Sequence, residues 1–363
     1  RPILARQVVQ ADFKADVQVA EEAADSKLLQ PSLKIKSSVA SGTFTAQQVA
    51  GSASNSIPNT KNFKMDGKIN LQQLSSLLKN LNLLASQTLL AGQSNIQTSG
   101  AVNEGLVALA DTRIDTEKLI YRQDNKTIRE NRVILTTRGQ IDLNNQSLLL
   151  APVDIDGQAG KIHIPKLAID DWTDAQKSMK ISGRADLDLD KLAHGYGEFI
   201  QLPERTKING NGRFDFDMDF THPKTQYFKL QGNLTPFKLV SKTLPAILEK
   251  KVTFNTDVNR SPDGRNMTIN NFTLKSNALS LNATGTLNQI GNNKVLDATG
   301  TMAPDMKLVS EYLKKSGQSQ VKLSGKKATP FTIKLLSKVD RWEDQLKHLT
   351  FSASVHVKTI KAY

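Results

Sequence analysis

Three aspartates at alternate positions, Asp215, Asp217 and Asp219, are the residues whose type and spacing come closest to a metal site. Carboxylate oxygens suit Ca²⁺, but an EF-hand loop also requires glycine at its sixth position and glutamate at its twelfth. Counted from Asp215, those positions hold Phe220 and Gln226. On an extended strand, alternate side chains lie about 6.6–7 Å apart, which is wide for one ion. The alternation therefore favours a solvated strand face over a calcium site.

The other polar residues give no sharper signal for catalysis or metal binding. Asp186, Asp188 and Asp190 repeat the alternation, with Lys191 where a calcium loop needs glycine. The five histidines never occur at zinc-ligand spacing, and the lack of cysteine excludes disulfides and thiolate chemistry. No nucleophile elbow, P-loop or dinucleotide fingerprint is present. We predict a protein that is not an enzyme and that uses neither a metal nor another cofactor.

Period-two alternation dominates the elements that carry these aspartates. In "GRFDFDMDF" (212–220), Phe214, Phe216, Met218 and Phe220 face one way and the aspartates face the other. The same alternation occurs at 161–167, 277–288 and 350–357, and hairpin turns are predicted at 144–147, 154–160, 261–264 and 290–293. Many short strands joined by short turns predict a mainly β, antiparallel meander.

Helical periodicity is confined to a few segments. We predict helices at 70–84, 188–202 and 304–316, with Asn70 as an N-cap and Leu74, Leu78 and Leu81 as core or groove-plugging residues. Two shorter candidates are 21–30 and 243–251. Glycine-led strands precede the three main helices at Gly67, Gly183 and Gly300, at intervals of 116 and 117 residues.

These intervals predict an array of repeated sheet modules. The predicted parts are a partly helical N-terminal segment (1–34) and three β repeats (35–120, 121–235 and 236–363).

Composition favours a thin, elongated molecule with affinity for an anionic surface. The 363 residues are 38% hydrophobic and 6% aromatic, which is low for a large compact globule. The net charge of +13 is scattered as single residues and pairs, without an arginine-rich block or a nucleic-acid-binding motif. We therefore expect no nucleic-acid partner and favour lipid headgroups or polyanions. No run of about 18 apolar residues is present.

A sheet of many alternating strands exposes an apolar face that must be covered. Each fully buried Leu or Phe contributes roughly 1.5–3 kcal/mol, and the few short helices cannot cover such a face. Two arrangements cover such a face: bound lipid acyl chains, or a second sheet packed against it in a self-packed sandwich. If acyl chains cover it, the predicted inward, lipid-contacting residues are Phe214, Phe216, Met218, Phe220, Leu279 and Leu281.

The segments "ISGRADLDLDKL…INGNGRFDFDMDF" (181–220) and "DATGTMAPDMKLVSEYLKKSGQSQVKLSG" (297–325) resemble the AsmA-like and TamB-like family of bacterial envelope proteins. The shared features are a glycine-started strand, an Asp-Leu run into a short helix, and a further glycine-led strand, and the likeness covers most of residues 35–335. The resemblance implies a curled antiparallel sheet with a lengthwise hydrophobic groove that moves or shields lipids between the two membranes.

Several expectations about partners and location follow from this resemblance. The ligands would be acyl chains of phospholipid or lipopolysaccharide, and an outer-membrane protein is a possible partner. The location would be the periplasm, with this chain as part of an inner-membrane-anchored protein whose anchor lies outside the given sequence. The alternative is a non-enzymatic structural or adhesive β-sandwich or scaffold module of the cell envelope that binds proteins or polyanions.

Overall fold

The computed structural model describes most of the chain and has a mainly β fold with short helices, as the alternation predicts. Its described residues are 14–19, 31–36, 40–48, 61–80, 84–172, 178–199, 206–240, 246–290, 293–315, 322–337, 349–353 and 359–361. The chain forms two compact units. Unit 1 comprises residues 1–158 and 165–172, and unit 2 comprises 159–164 and 173–363.

Unit 1 contains a meander in which each strand from β1 to β8 pairs antiparallel with the next. Strand β9 (Gly160–Ile169) has residues in both units. The elements before it are β1 Lys14–Val19, β2 Pro31–Lys36, β3 Ala40–Gln48, β4 Lys61–Asn70, α1 Leu71–Asn80, β5 Thr88–Asn103, β6 Leu106–Gln123, β7 Lys126–Asp142 and β8 Ser147–Gly157.

Unit 2 contains a second run of antiparallel strands, paired in the order β10–β11–β12–β14–β15–β16–β17–β19–β20. Strand β13 pairs with the end of β12, and β18 pairs with β21. The bounds are β10 Met179–Asp188, α2 Leu189–Tyr196, β11 Lys207–Asp219, β12 Gln226–Val240, β13 Ile247–Glu249, β14 Val252–Arg260, β15 Asn266–Lys275, β16 Leu279–Ile290, β17 Asn293–Pro304, α3 Met306–Lys315, β18 Lys322–Ser324, β19 Thr329–Ser337, β20 Leu349–Ala353 and β21 Thr359–Lys361.

The helices begin close to where the sequence predicts them, but their described parts are shorter. Helix α1 ends at Asn80, and Leu81 lies outside the described residues. Helix α2 ends at Tyr196, in the stretch where Gly195 and Gly197 weaken the helix. The candidate helix at 21–30 lies outside the described residues.

The candidate helix at 243–251 is wrong for residues 247–249. These residues form β13, whose Leu248 lies opposite Lys238 of β12. Residues 241–245 lie outside the described residues. The neighbouring strand satisfies the backbone hydrogen bonds of 247–249, and so short a helix would be marginal by comparison.

The same kind of N-cap begins each of the three helices in the described part of the chain. A side-chain oxygen of Asn70, Asp188 and Asp305 accepts hydrogen bonds from the backbone N–H groups two and three residues later, at 3.1–3.3 Å. The intervals between these caps are 118 and 117 residues. An N-cap carboxylate or amide satisfies donors that have no partner within the helix. The repeat visible in the sequence therefore recurs as a local structural motif.

Among their described residues, the helices α1 and α3 each bury one large and one small side chain, and the predicted leucines of α1 are not the buried ones. In α1, Leu71 and Ser75 are buried, whereas Leu74 and Leu78 are only half-buried. In α3, Met306 and Ser310 occupy the same positions relative to the cap and are also buried. A small residue one turn into the helix allows close approach to the strand beneath it: Ser75 Oγ accepts the N–H of Leu90 in β5 at 3.3 Å.

A buried glutamate holds a turn in each unit. Glu249 accepts hydrogen bonds from the N–H groups of Asn277 and Ala278 at 3.0 and 3.1 Å. The carbonyl of Ala278 in turn accepts the N–H of Asp305 at 2.8 Å, which ties this turn to the cap of α3. In unit 1, Glu130 accepts the N–H of Gln158 at 2.8 Å, and both glutamates bond a backbone N–H 28 residues ahead.

Candidate functional site

The alternating aspartates of β11 lie on the polar face of unit 2 and oppose basic residues on the neighbouring strand. Asp215 Oδ1 accepts from Arg184 Nε at 2.7 Å, and Asp219 Oδ2 lies 3.1 Å from Lys180 Nζ. Asp217 lies on the same face, opposite Ser182 in β10 and Lys229 in β12. These carboxylates thus serve cross-strand charge pairing, the role that the strand interpretation favours.

Further ion pairs extend this polar face on both sides of β11. Asp186 pairs with Arg213 at 2.6 Å, and Asp257 of β14 lies 3.9 Å from Lys229. At Asp219, burial would raise the carboxyl pKa, but hydrogen bonds from Thr221 and the Lys180 ammonium together lower the pKa to about 2. Within the described ranges, no three His, Asp or Glu side chains come together as metal ligands.

The opposite face of unit 2 is apolar across its successive strands. Directly opposed residues of an antiparallel pair lie on the same face, so the register defines rows that cross the sheet. Row B is Ala185, Phe214, Gly232, Phe254, Leu274, Leu281, Met302 and Thr329. Row C is Gly183, Phe216, Leu230, Thr256, Phe272, Ala283, Gly300 and Phe331, and row D is Ile181, Met218, Phe228, Val258, Ile269, Gly285, Ala298 and Ile333.

A shorter row lies next to row B, toward α2. Row A is Leu187, Gly212, Leu234 and Val252. We call rows A to D together the apolar face.

Aromatic rings on the apolar face pack over cross-strand glycines. The Phe214 and Phe254 ring centroids are 6.1 Å apart, on either side of Gly232. A Cβ added at Gly232 would lie 2.2 Å from the Phe254 ring, so glycine is required for this packing. At the end of β11, Phe220 meets Phe228 edge-to-face at 5.2 Å. Such pairs contribute about 0.5–1.5 kcal/mol beyond their buried area.

Most large side chains of the apolar face remain only partly covered by protein. Phe331 is 3% exposed and therefore buried, but Phe214, Phe216, Met218 and Leu281 are half-buried. Helix α2 covers row A, where a methyl group of Leu189 lies 3.2 Å from the position of a Cβ built on Gly212. Rows B to D therefore keep accessible apolar surface among the described residues, unlike the interior of a closed sandwich.

The rows of this face contain four of the six predicted lipid-contacting residues: Phe214, Phe216, Met218 and Leu281. Phe214, Phe216 and Met218 lie on β11, with Phe220 directly after it. Leu279 and Leu281 lie on β16, and strands β12, β14 and β15 separate them from β11. Their role in contacting lipid stays a prediction.

Sequence reasoning missed other members of the apolar face. Phe254 of "VTFNTDVNR" (252–260) and Phe272 of β15 lie on it, as does Phe331 of β19. Alternation in 252–260 identifies Phe254 in principle. A bulge between Ile269 and Phe272 breaks the alternation of β15, so Phe272 could not be assigned to a face from the sequence.

The corresponding face of unit 1 differs because hydroxyl groups replace much of the apolar surface. The Ser94 and Thr116 hydroxyl oxygens are 2.8 Å apart, and those of Thr98 and Thr112 are 2.7 Å apart. Thr137 donates to the carbonyl of Pro152 at 2.8 Å. These hydroxyls satisfy one another or the backbone, so this face carries a bonded polar stripe that composition did not predict.

No helix among the described residues is long and apolar enough to cross a membrane. No family model matches the sequence, and no curated protein or solved structure shows significant similarity to it.

Proposed function

We propose that the apolar face of unit 2 binds lipid acyl chains and shields or conducts them between membranes, in support of outer-membrane lipid homeostasis or assembly. The observation that carries the proposal is the set of rows B to D, which cross eight strands and include half-buried large apolar side chains. The sequence resemblance to AsmA-like and TamB-like proteins points in the same direction. A periplasmic location belongs to the same proposal.

The dimensions of the apolar face suit an acyl chain. Rows A to D span three intervals of two residues along a strand, or about 20 Å. One leaflet of a bilayer has a hydrocarbon depth of about 15 Å, half of the roughly 30 Å core. An acyl chain lying parallel to the strands would therefore contact apolar side chains along most of its length.

The driving force would be the removal of apolar surface from water on both partners. Each methylene group transferred from water contributes about 0.8 kcal/mol, and no covalent step is needed. The charged residues lie on the opposite face, where Arg184–Asp215 and Arg213–Asp186 pairs neutralise one another. This division keeps charge away from the acyl chains.

The proposal is tested by placing a charge on the apolar face. Met218→Arg should weaken binding of a fluorescent fatty-acid probe at least tenfold, because a guanidinium in contact with an acyl chain must be desolvated. Ser182→Arg is the matched control: it adds the same charge on the exposed polar face, opposite Asp217. It should bind the probe as the unaltered chain does.

Circular dichroism and thermal unfolding of both variants complete the test. Retained folding with lost probe binding in Met218→Arg alone supports the proposal. Equal probe binding by all three proteins argues against it and favours the alternative of a scaffold or adhesive module. Unfolding of Met218→Arg would instead make this stripe structural core.

A further inference from the structure

Five lysines lie at one strand-end edge of unit 2. Lys250 and Lys251 precede β14, Lys275 ends β15, and Lys326 and Lys327 precede β19. The register places these strand ends together, since Thr253 lies opposite Lys275 and Thr329 opposite Met302 in row B. We call these five residues the lysine edge.

The lysine edge is a free cationic surface. All five side chains are exposed, and among the described residues no carboxylate lies within ion-pair distance of any of them. By contrast, Lys180 and Lys229 of the polar face have aspartate partners. Glu249, the carboxylate next to Lys250 in the chain, is also engaged, since it accepts the backbone N–H groups of Asn277 and Ala278.

An exposed leucine accompanies this charge. Leu248 in β13 lies two residues before Lys250 and is 56% exposed. Among the described large hydrophobic side chains of unit 2, it is the most exposed. Lysines would be sufficient for a nucleic acid or another polyanion, but a projecting leucine gains nothing there. Lysines beside an apolar side chain match the interface of a bilayer, where acyl boundary and anionic headgroups meet.

We propose that the lysine edge docks unit 2 on the surface of an anionic phospholipid bilayer, with Leu248 entering the headgroup region. This interaction does not depend on acyl chains occupying the apolar face. It assigns to named residues of unit 2 the affinity for an anionic surface that the net charge of +13 predicts only for the chain as a whole. The attraction is electrostatic, and at physiological ionic strength salt screens it over a distance of about 8 Å.

Flotation of the full chain with vesicles tests this inference. Vesicles of phosphatidylcholine with added phosphatidylglycerol should bind the chain, and vesicles of phosphatidylcholine alone should not. Each lysine near an anionic surface contributes about fivefold to the partition constant, so the triple variant Lys250→Gln, Lys251→Gln and Lys327→Gln should bind roughly 100-fold more weakly. Raised salt should weaken the unaltered chain in the same direction.

A charge-matched control separates the edge from net charge. Lys68→Gln, Lys166→Gln and Lys224→Gln together remove the same charge from exposed positions on β4, on β9 and in the turn after β11. This control should keep vesicle binding within about twofold of the unaltered chain, as expected for dispersed single charges. Leu248→Gln should weaken vesicle binding about tenfold while leaving binding to heparin unchanged.

Equal vesicle binding by the two triple variants would overturn the inference. So would equal binding to vesicles with and without phosphatidylglycerol, or binding to heparin without binding to vesicles. Met218→Arg should retain vesicle binding, so a failure of acyl-chain binding is distinguishable from a failure of docking.

Discussion

Glu249 illustrates how one buried carboxylate organises a turn. Its side chain is 5% exposed and accepts from the Ser276 hydroxyl at 3.1 Å as well as from the N–H groups of Asn277 and Ala278. A buried charge is costly unless hydrogen bonds compensate for its lost hydration. Here three donors from one turn supply that compensation, and the turn leads into β16.

Glu249→Gln should destabilise the chain by about 1.5–3 kcal/mol, because an amide provides one acceptor oxygen and turns a donor toward the same N–H groups. The measurement is the free energy of unfolding in urea. Glu311→Gln, at an exposed position of α3, is the control and should change that free energy by less than about 0.5 kcal/mol. Equal effects of the two substitutions would contradict the assigned role of Glu249.

Asp115 should contribute to acid sensitivity. The hydrogen bond from Arg132 at 2.8 Å is the main cause that lowers its pKa to about 2; burial opposes this, and Arg113 adds to it. An unfolded aspartate has a pKa of about 3.9, so the unfolded chain binds more protons between these values. The stabilisation is complete above about pH 4 and is lost as the pH falls toward 2.

Urea midpoints measured between about pH 5 and pH 2 test this prediction, because this range includes the folded and the unfolded pKa of Asp115. Asp115→Asn should show a smaller loss of midpoint over that range than the unaltered chain. Parallel pH dependence of the two proteins would refute the contribution of Asp115.

At the scale of elements, the recurrent cap gives α3 its starting point. Asp305→Ala should cost about 1 kcal/mol, because the N–H groups of Lys307 and Leu308 lose their acceptor. The first-turn amides of α3 should exchange hydrogen about fivefold faster, because a loss of about 1 kcal/mol raises the local opening equilibrium by that factor. Asp305→Asn keeps an acceptor oxygen and should retain protection; equal exchange in both variants would exclude capping as the cause.

The strands were predictable and the helix faces were not. Alternation in 212–220 predicts both β11 and the side on which Phe214 and Asp215 lie, because the period of a strand is two. The burial of Ser75 in preference to Leu74 depends on how closely α1 approaches β5, which no periodicity encodes. Strand β13 was missed because its three residues are too few for any pattern.

The apolar residues of each strand were predictable from the sequence, but their alignment in rows across the sheet was not. Met218 and Leu281 can each be assigned to an apolar face from local alternation. That they share one face, with Phe228 and Phe254 between them, depends on register and on the bulges at Asp257 and Asn270, which are set by long-range pairing. The lysine edge likewise brings together residues 250 to 327, and it exists only in the folded topology.

At the scale of the whole molecule, repetition explains why one local design recurs. The caps Asn70, Asp188 and Asp305 follow the interval that glycines mark in the sequence, whereas the chain forms two compact units. The predicted boundaries of the three β repeats stay a prediction. Each unit has one polar face and one less polar face. The less polar face carries a stripe of hydroxyl groups in unit 1 and aromatic rows in unit 2, so the two units present different surfaces.

Native mass spectrometry of the purified chain, followed by lipid extraction, tests the central claim most directly. The account predicts adducts with the mass of phospholipid or lipopolysaccharide that persist in Ser182→Arg and are lost in Met218→Arg. A single apo mass for the unaltered chain, unchanged after incubation with phospholipid vesicles, would contradict acyl-chain binding by the apolar face.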